Sequence, residues 1–293
     1  MPPAFEGTVF VMRIGTIAEL WRYPVKSMGG ERLPEIQVGR MGVPGDRGWA
    51  VYDEERQGVT TAKRLHALRG CSAHYPTEPV AGEAPPPARV RLPDGSTLWT
   101  HDDDFAPRMT ALFGRPVSIR GLGPAGSEAA PRVKSLGDPD TDTRAVLGLE
   151  PGEPMPDMRA FAPDVLKAMR HGNFFDAFPL LILTSATLAT LRGHLADCDW
   201  DPRRFRPNVF IETNGATGYP ELDWIGRRLR IGDAVVEPVV GCPRCVMVTQ
   251  PVDELPPDPR VMRTLVREAH HTAGVYARVV ADGAIRLGDD VEL

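Results

Sequence analysis

The sequence predicts an α+β fold that is predominantly β and built on a barrel, and three observations carry the prediction. Many short apolar or alternating runs read as strands, only two stretches have clear helical periodicity, and no βαβ alternation is visible.

The first strand spans Ile14 to Trp21 and the second Ile36 to Val38, with the polar turn Lys26-Ser27-Met28-Gly29-Gly30 between them. Gly45-Asp46-Arg47 leads into a strand at Trp49-Ala50-Val51-Tyr52. Arg89-Val90-Arg91-Leu92 alternates as a half-buried strand does, and it meets Thr97-Leu98-Trp99 across Pro93-Asp94-Gly95-Ser96, a hairpin whose glycine accepts positive φ. In the second half, Leu180 to Leu183 is a buried strand that stops at Thr184-Ser185. Either hydroxyl caps a helix whose Leu188, Leu191 and Leu195 share a face. A second helix starts at Asp258-Pro259 and keeps Val261, Leu265 and Val266 on its apolar side. The other segments read as strands: Val209 to Ile211, Leu229 to Ile231, Ala234 to Val240, Val246 to Thr249, Val275 to Val280, Ala284 to Leu287 and Val291 to Leu293. Turns fall at Asp282-Gly283 and Gly288-Asp289.

These elements divide the chain into a β-rich N-terminal domain over 12–121, an irregular connection over 122–160 and a β-barrel domain with flanking helices over 161–293. The connection is placed by the Pro- and Gly-dense stretch from Gly121 to Pro156. Charge is mixed with a net value of −5, so no basic field points to nucleic acid. The longest apolar runs, such as Phe178 to Leu183, are too short to cross a bilayer, and residues 1–11 lack the pattern of a secretory leader. The expectation is a soluble, cytoplasmic protein with no membrane partner. Its four cysteines then stay reduced and are free to act as anionic ligands.

Gly241-Cys242-Pro243-Arg244-Cys245 places two thiols together, the natural seat for soft-metal or redox chemistry. Structural zinc needs four ligands, and the remaining Cys71 and Cys198 are isolated. A thioredoxin-like dithiol wants a helix start, whereas this pair runs into Val246-Met247-Val248-Thr249. A disulfide between thiols so close would shut almost no loop and add little stability. Three polar clusters put cations at strand ends: Lys26-Ser27, Gly45-Asp46-Arg47 and Arg203-Arg204-Phe205-Arg206-Pro207-Asn208. Taken singly they read as solvated loop charges. Together with Thr184-Ser185 at a helix start they have the chemistry of a phosphate site.

The run Trp21-Arg22-Tyr23-Pro24-Val25-Lys26-Ser27-Met28-Gly29-Gly30-Glu31, then Gly45-Asp46-Arg47, Arg204-Phe205-Arg206-Pro207-Asn208 and Cys242-Pro243-Arg244-Cys245, resembles in order the pattern of MOSC proteins with an N-terminal MOSC_N domain. The nearest pattern is that of the mitochondrial amidoxime reducing components and their bacterial counterparts. The likeness runs from about Arg13 to Leu293 and is weakest from Gly121 to Asn173. It implies that the two domains hold a molybdenum-molybdopterin cofactor between them. It also implies that Cys245, not Cys242, ligates the metal, and that Lys26, Ser27, Arg47, Arg206, Asn208 and Arg244 surround the pterin and its phosphate. Thr184 and Ser185 align loosely with the same cradle. A thiolate beside two dithiolene sulfurs is a soft set that suits molybdenum.

The activity implied is molybdenum-dependent reduction of N-hydroxylated or N-oxide small molecules by oxygen-atom transfer to the metal, catalysed at Cys245 with Asp176 as a supporting or proton-relay carboxylate. His270 and His271 are assigned to a helix end, where they meet the last carbonyls, and Lys63-Arg64 is kept outside the core site. With no cysteine set for an iron–sulfur cluster, electrons are expected from a separate flavin- or ferredoxin-type partner. Pyridoxal phosphate is not expected. The competing functions are a sulfur or cofactor carrier using a Cys245 persulfide, and a specialised pathway enzyme acting on one metabolite through the divergent central segment.

Overall fold

The computed structural model describes residues 12–123, 138–156, 174–175 and 177–293, and the structural statements below concern those residues. The chain is mostly β. In the first half lie β1 (Arg13–Arg22), β2 (Glu31–Leu33), β3 (Glu35–Val38), β4 (Trp49–Asp53), β5 (Gly58–Val59), β6 (Ser72–His74), β7 (Arg89–Arg91), β8 (Thr97–Trp99) and β9 (Val117–Gly121). The second half holds β10 (Leu180–Thr184), β11 (Val209–Thr213), β12 (Leu229–Ile231), β13 (Ala234–Pro243), β14 (Thr272–Ala281), β15 (Gly283–Arg286) and β16 (Asp290–Glu292).

Seven of these strands close on themselves in the order β11, β10, β14, β13, β12, β16, β1 and back to β11, with β2 continuing the sheet past β1. Alternate residues of each strand point inward, so Ile17, Leu20, Ile182, Val209, Ile211, Ile231, Val236, Val275 and Val291 fill the barrel. The alternation of β1 breaks at Ala18-Glu19, where its register against β11 shifts between Ile17 and Glu19. The bulge returns Leu20 to the core.

The expected boundary at residue 121 is therefore crossed. β1 and β3 come from the segment assigned to the first domain, yet β1 closes the barrel and β3 pairs with β15, putting Ile36 and Val38 in the barrel core. Without β1, β11 and β16 would each present an open edge, which a barrel avoids. The N-terminal unit proper runs from β4 to β9. Its sheets β5-β4-β9 and β6-β7-β8 share a core of Val51, Leu68, Val90, Leu98, Phe105, Met109 and Val117.

Helices correct the prediction in three ways. First, α1 (Phe105–Phe113), α2 (Pro139–Leu147) and the single-turn α4 (Pro202–Phe205) join the expected α3 (Ser185–His194) and α5 (Arg260–Glu268). Second, β10, α3 and β11 form one βαβ crossover, because β10 pairs with β11 in parallel and parallel neighbours need a long connection. Third, Val246–Thr249 is a 3-10 turn and not a strand. Pro243 already pairs with Thr272, where β14 begins, so the residues that follow have no strand to lie against. Instead Met247 and Val248 turn into two separate cores. No helix among the described residues is long and apolar enough to cross a membrane.

Candidate functional site

Four loops converge on one cleft of about 250 Å³ between the N-terminal unit and one end of the barrel. They are the loop after β1, the turn before β4, the segment joining α4 to β11, and the end of β13. Each is shaped by local chemistry. Gly45, at φ +76, turns the chain where an added Cβ would lie 2.5 Å from the Pro79 ring, and this delivers Asp46 and Arg47 to the site. Asp201 caps α4 by accepting from the Arg203 amide at 2.8 Å, and the helix ends with Arg206 in the left-handed region at φ 59. Ser27, at φ 71, makes a comparable turn after Lys26.

The Tyr23 ring is the centre of this cation cluster, with the Arg206 guanidinium 4.1 Å and that of Arg47 4.5 Å from its centroid. Arg206 donates to the Met28 carbonyl, and Lys26 Nζ donates to the Phe174 carbonyl at 2.7 Å. Asp46 is the counter-ion: it pairs with Arg47, takes the Tyr23 amide at 2.8 Å and takes Asn208 Nδ2 at 3.0 Å. Asn208 Oδ1 in turn accepts from the Leu181 amide at 3.2 Å, so this side chain ties the β1 loop to β10. Burial, then repulsion from Arg69 and Arg47, pushes the Arg206 guanidinium down to about 9. Six basic side chains line the cleft, Lys26, Arg47, Lys63, Arg204, Arg206 and Arg244, and no acid is found among the described lining residues. That surplus is the signature of an anion site.

The two thiols of the Cys242-Cys245 pair differ. Cys242 is buried and its Sγ accepts from Arg244 Nη1 at 2.8 Å, and burial pushes its thiol up. Cys245 is half-buried and opens on the cleft. Arg244 also donates to the Phe205 carbonyl, yet its buried Nε has no partner among the described residues. Cys71 and Cys198 are buried in separate cores.

Of the residues predicted from sequence, Lys26, Ser27, Arg47, Arg206, Asn208, Arg244 and Cys245 all line this cleft. Thr184 and Ser185 do not. Thr184 caps α3 and donates to the buried Glu221 at 2.7 Å, and Ser185 donates to Glu212 at 2.9 Å. The cleft touches β10 at Leu181, near its start. Thr184 stands three residues on, roughly 10 Å further along an extended strand. Asp176 lies outside the described residues.

Sequence reasoning missed Tyr23, although it sits inside the motif run, and the apolar wall of Phe175, Phe178 and Tyr276, the last two stacked at 5.5 Å. Lys63 and Leu147 also face the cleft. His271 does not use its side chain at the end of α5. Its backbone amide closes that helix on the Leu265 carbonyl at 2.9 Å, while Nε2 bonds the Leu147 carbonyl at 2.8 Å and holds the end of α2 beside the cleft.

Residues 14–96 match the family described as MOSC N-terminal beta barrel domain, and residues 169–292 match the MOSC domain. The chain is a two-domain MOSC protein. It is 28% identical over 301 residues to mitochondrial amidoxime reducing component 2 of Homo sapiens, covering 96% of this chain and 84% of that protein. Against mitochondrial amidoxime-reducing component 1 of Homo sapiens it is 29% identical over 248 residues, covering 82% and 67%. A shorter stretch of 84 residues, 26% of this chain and 10% of the relative, is 34% identical to molybdenum cofactor sulfurase of Oryza sativa subsp. japonica.

Proposed function

We propose that this chain is a molybdenum cofactor-dependent oxidoreductase that reduces N-hydroxylated or N-oxide small molecules, supplied with electrons by a separate flavin- or ferredoxin-type protein. The observation that carries the reading is the pairing of one half-open thiol, Cys245, with six basic side chains and no acid among the described lining residues. Among the names of its relatives, molybdenum cofactor sulfurase carries that cofactor and amidoxime reducing component a reduction. The orphaned Arg244 Nε fits an anionic occupant, since a buried guanidinium nitrogen wants an acceptor.

Cys245 would supply the thiolate, while Lys26, Arg47, Arg206 and Arg244 would hold the phosphate and pterin. Once bound, the cofactor supplies a soft-ligated metal able to accept an oxygen atom and pass electrons. Overall, an N-hydroxylated substrate takes up two electrons and two protons and leaves as the N–H compound and water. Asn208 and Asp46 keep Arg47 oriented. Phe175, Phe178 and Tyr276 give the substrate an apolar wall and keep bulk water off the reacting bond. Arg244 holds Cys242 out of the chemistry through the bond to its sulfur.

Protein made in a cofactor-competent host should contain about one molybdenum per chain together with a pterin. Cys245→Ser should lose both metal and N-oxide reduction, whereas Cys242→Ser should fold and keep much of each. Stoichiometric zinc without pterin, or equal loss from both substitutions in folded protein, would sink the reading. A persulfide on Cys245 with no turnover would favour the carrier alternative.

A further inference from the structure

The bonds of α2 run to both sides of the cleft. Toward the N-terminal unit, Asp142 pairs with Arg64 at 2.5 Å, next to the lining residue Lys63. Toward the barrel, Arg263 of α5 donates to the Gly148 carbonyl and pairs with Glu153 at 2.8 Å. Gly148 ends α2 at φ +67, where an added Cβ would lie 3.1 Å from both Val246 and Met262, so a glycine lets the helix end settle on the turn that follows Cys245. Leu147, the residue before it, is buried and lines the same cleft as that thiol. His271 joins this helix end to the thiol loop. Its Nε2 meets the Leu147 carbonyl at 2.8 Å, and because a carbonyl only accepts, Nε2 carries the proton. Its own carbonyl accepts the Arg244 amide at 2.9 Å, inside the Cys242–Cys245 run. The imidazole is buried and Nδ1 has no partner among the described residues, so the Leu147 carbonyl is the polar anchor of the ring. His270 and His271 both hold positive φ, 47 and 65, a strain that persists only where the surroundings fix it. One residue therefore positions a wall of the cleft with its side chain and the thiol loop with its backbone.

We propose that Leu147 is a specificity-determining residue of the cleft and His271 the positioning residue that holds it there, so that α2 grades by bulk what reaches Cys245. The Leu147 side chain brings no polar atom to the cleft, so it discriminates by volume, as an apolar wall does. That the molecules graded are N-hydroxylated substrates rests on the cofactor reading. That α2 guards the thiol rests on the contacts alone. Neither residue belongs to a motif of the site: Leu147 follows Gly- and Pro-dense sequence, and His271 reads as a helix-end histidine.

The thiol itself gives a readout that needs no cofactor. The whole chain, from a host that makes no molybdenum cofactor, is treated with iodoacetamide or with a bulky aryl maleimide. Modification of Cys245 is timed by mass spectrometry in wild type, Leu147→Ala, His271→Leu, His271→Gln and Asp142→Asn, each first shown by circular dichroism to be folded. Leu147→Ala and His271→Leu should each speed the bulky reagent about ten-fold more than the small one, the scale on which an apolar wall discriminates. Asp142→Asn, which weakens the other anchor of α2, should move the ratio the same way, and His271→Gln, which still donates to Leu147, should keep the wild-type ratio. In protein loaded with cofactor, Leu147→Ala should shift kcat/KM toward bulky amidoximes over small ones, chiefly through KM. Rates that rise equally for both reagents, or an unchanged ratio in the folded variants, would make α2 structural and overturn the proposal. If the ratio shifts as expected but wild-type protein from a cofactor-competent host holds no molybdenum, the α2 wall stands and the cofactor reading falls. With molybdenum present and no shift, the wall alone falls.

Discussion

Cys242 and Cys245 occupy one short loop, yet their surroundings assign them different tasks: an arginine holds the first and the second faces open space. The basic residues follow the same logic. Arg204 is fully engaged with the carbonyls of Asp199, Gln250 and Pro256 and braces the loops, whereas Arg206, two residues on, sits over Tyr23 at the cleft. Arg206→Ala and Lys26→Ala should therefore each cut cofactor retention more than they lower the melting temperature of the cofactor-free protein. Loss of one charge-assisted anion contact costs about 1.5–3 kcal/mol, roughly ten- to a hundred-fold in affinity. Equal cofactor content in wild type and both variants would reduce these side chains to ordinary buried polar groups. At this scale the sequence was informative wherever residues of the cleft sit in one short run, as Lys26-Ser27 and Arg206-Asn208 do. Tyr23 was illegible because its role comes from what surrounds it. Thr184-Ser185 was read as a cap and as part of the cradle; Thr184 does cap α3, while neither residue lines the cleft, since a capping hydroxyl says nothing about which end of the strand meets it.

Among the elements, α2 shows how one signal can be used in one place and overlooked in another. Asp138-Pro139 starts this helix, with the Asp138 carboxylate accepting the Thr141 amide at 2.8 Å, just as Asp258-Pro259 announces α5. The surrounding glycines and prolines had marked the whole stretch as irregular. Tertiary bonds hold α2 and the chain after it against the cleft: Arg64 with Asp142 at 2.5 Å, Arg263 with Glu153 at 2.8 Å, and His271 with the Leu147 carbonyl. The His271 bond is pH-dependent. Burial, the largest influence, lowers the His271 pKa below its ordinary value, so the fold prefers the neutral ring. A base whose folded value is depressed gives stability that is present above the unfolded value, about 6.5, and is lost as pH falls below it. Protection of the amides across α2, taken relative to the intrinsic exchange rate at each pH, should fall between about pH 7.5 and 5.5 in wild type. His271→Gln, whose amide nitrogen reaches the position of Nε2 and can donate to the Leu147 carbonyl without titrating, should flatten that response. Identical pH profiles for the two proteins would remove His271 as the cause.

For the whole molecule, closure of the barrel by its first strand makes the two halves interdependent. A fragment of residues 161–293 contains the thiol pair and most barrel strands, yet it lacks β1 and with it Ile17 and Leu20 of the core. We expect it to lack cooperative unfolding and native near-ultraviolet dichroism, and to regain both when residues 12–22 are joined to it through a flexible linker. A stable, cooperative fragment without that strand would contradict the closure argument. The electron path belongs to this scale as well. The sequence shows no glycine fingerprint after a strand and no iron–sulfur cysteine set, so the isolated chain should not oxidise NADH or NADPH. A reduced viologen should drive turnover of a model N-hydroxylated compound, and an added flavin or ferredoxin reductase system should restore nicotinamide dependence. NADPH-driven turnover by the homogeneous protein would refute the need for a donor.

By itself the sequence determined the β-rich class, nearly every barrel strand, the family pattern and four of the six basic residues of the cleft. These depend on local periodicity, turn chemistry and short motifs, all of which lie within a few residues of one another. Only the tertiary structure decided that β1 closes the barrel, that Val246–Thr249 turns for want of a partner strand, and that α2 packs beside the cleft. Each of these depends on which distant segment arrives as a neighbour, because strand pairing, burial and charge compensation are properties of contacts and not of the residues alone.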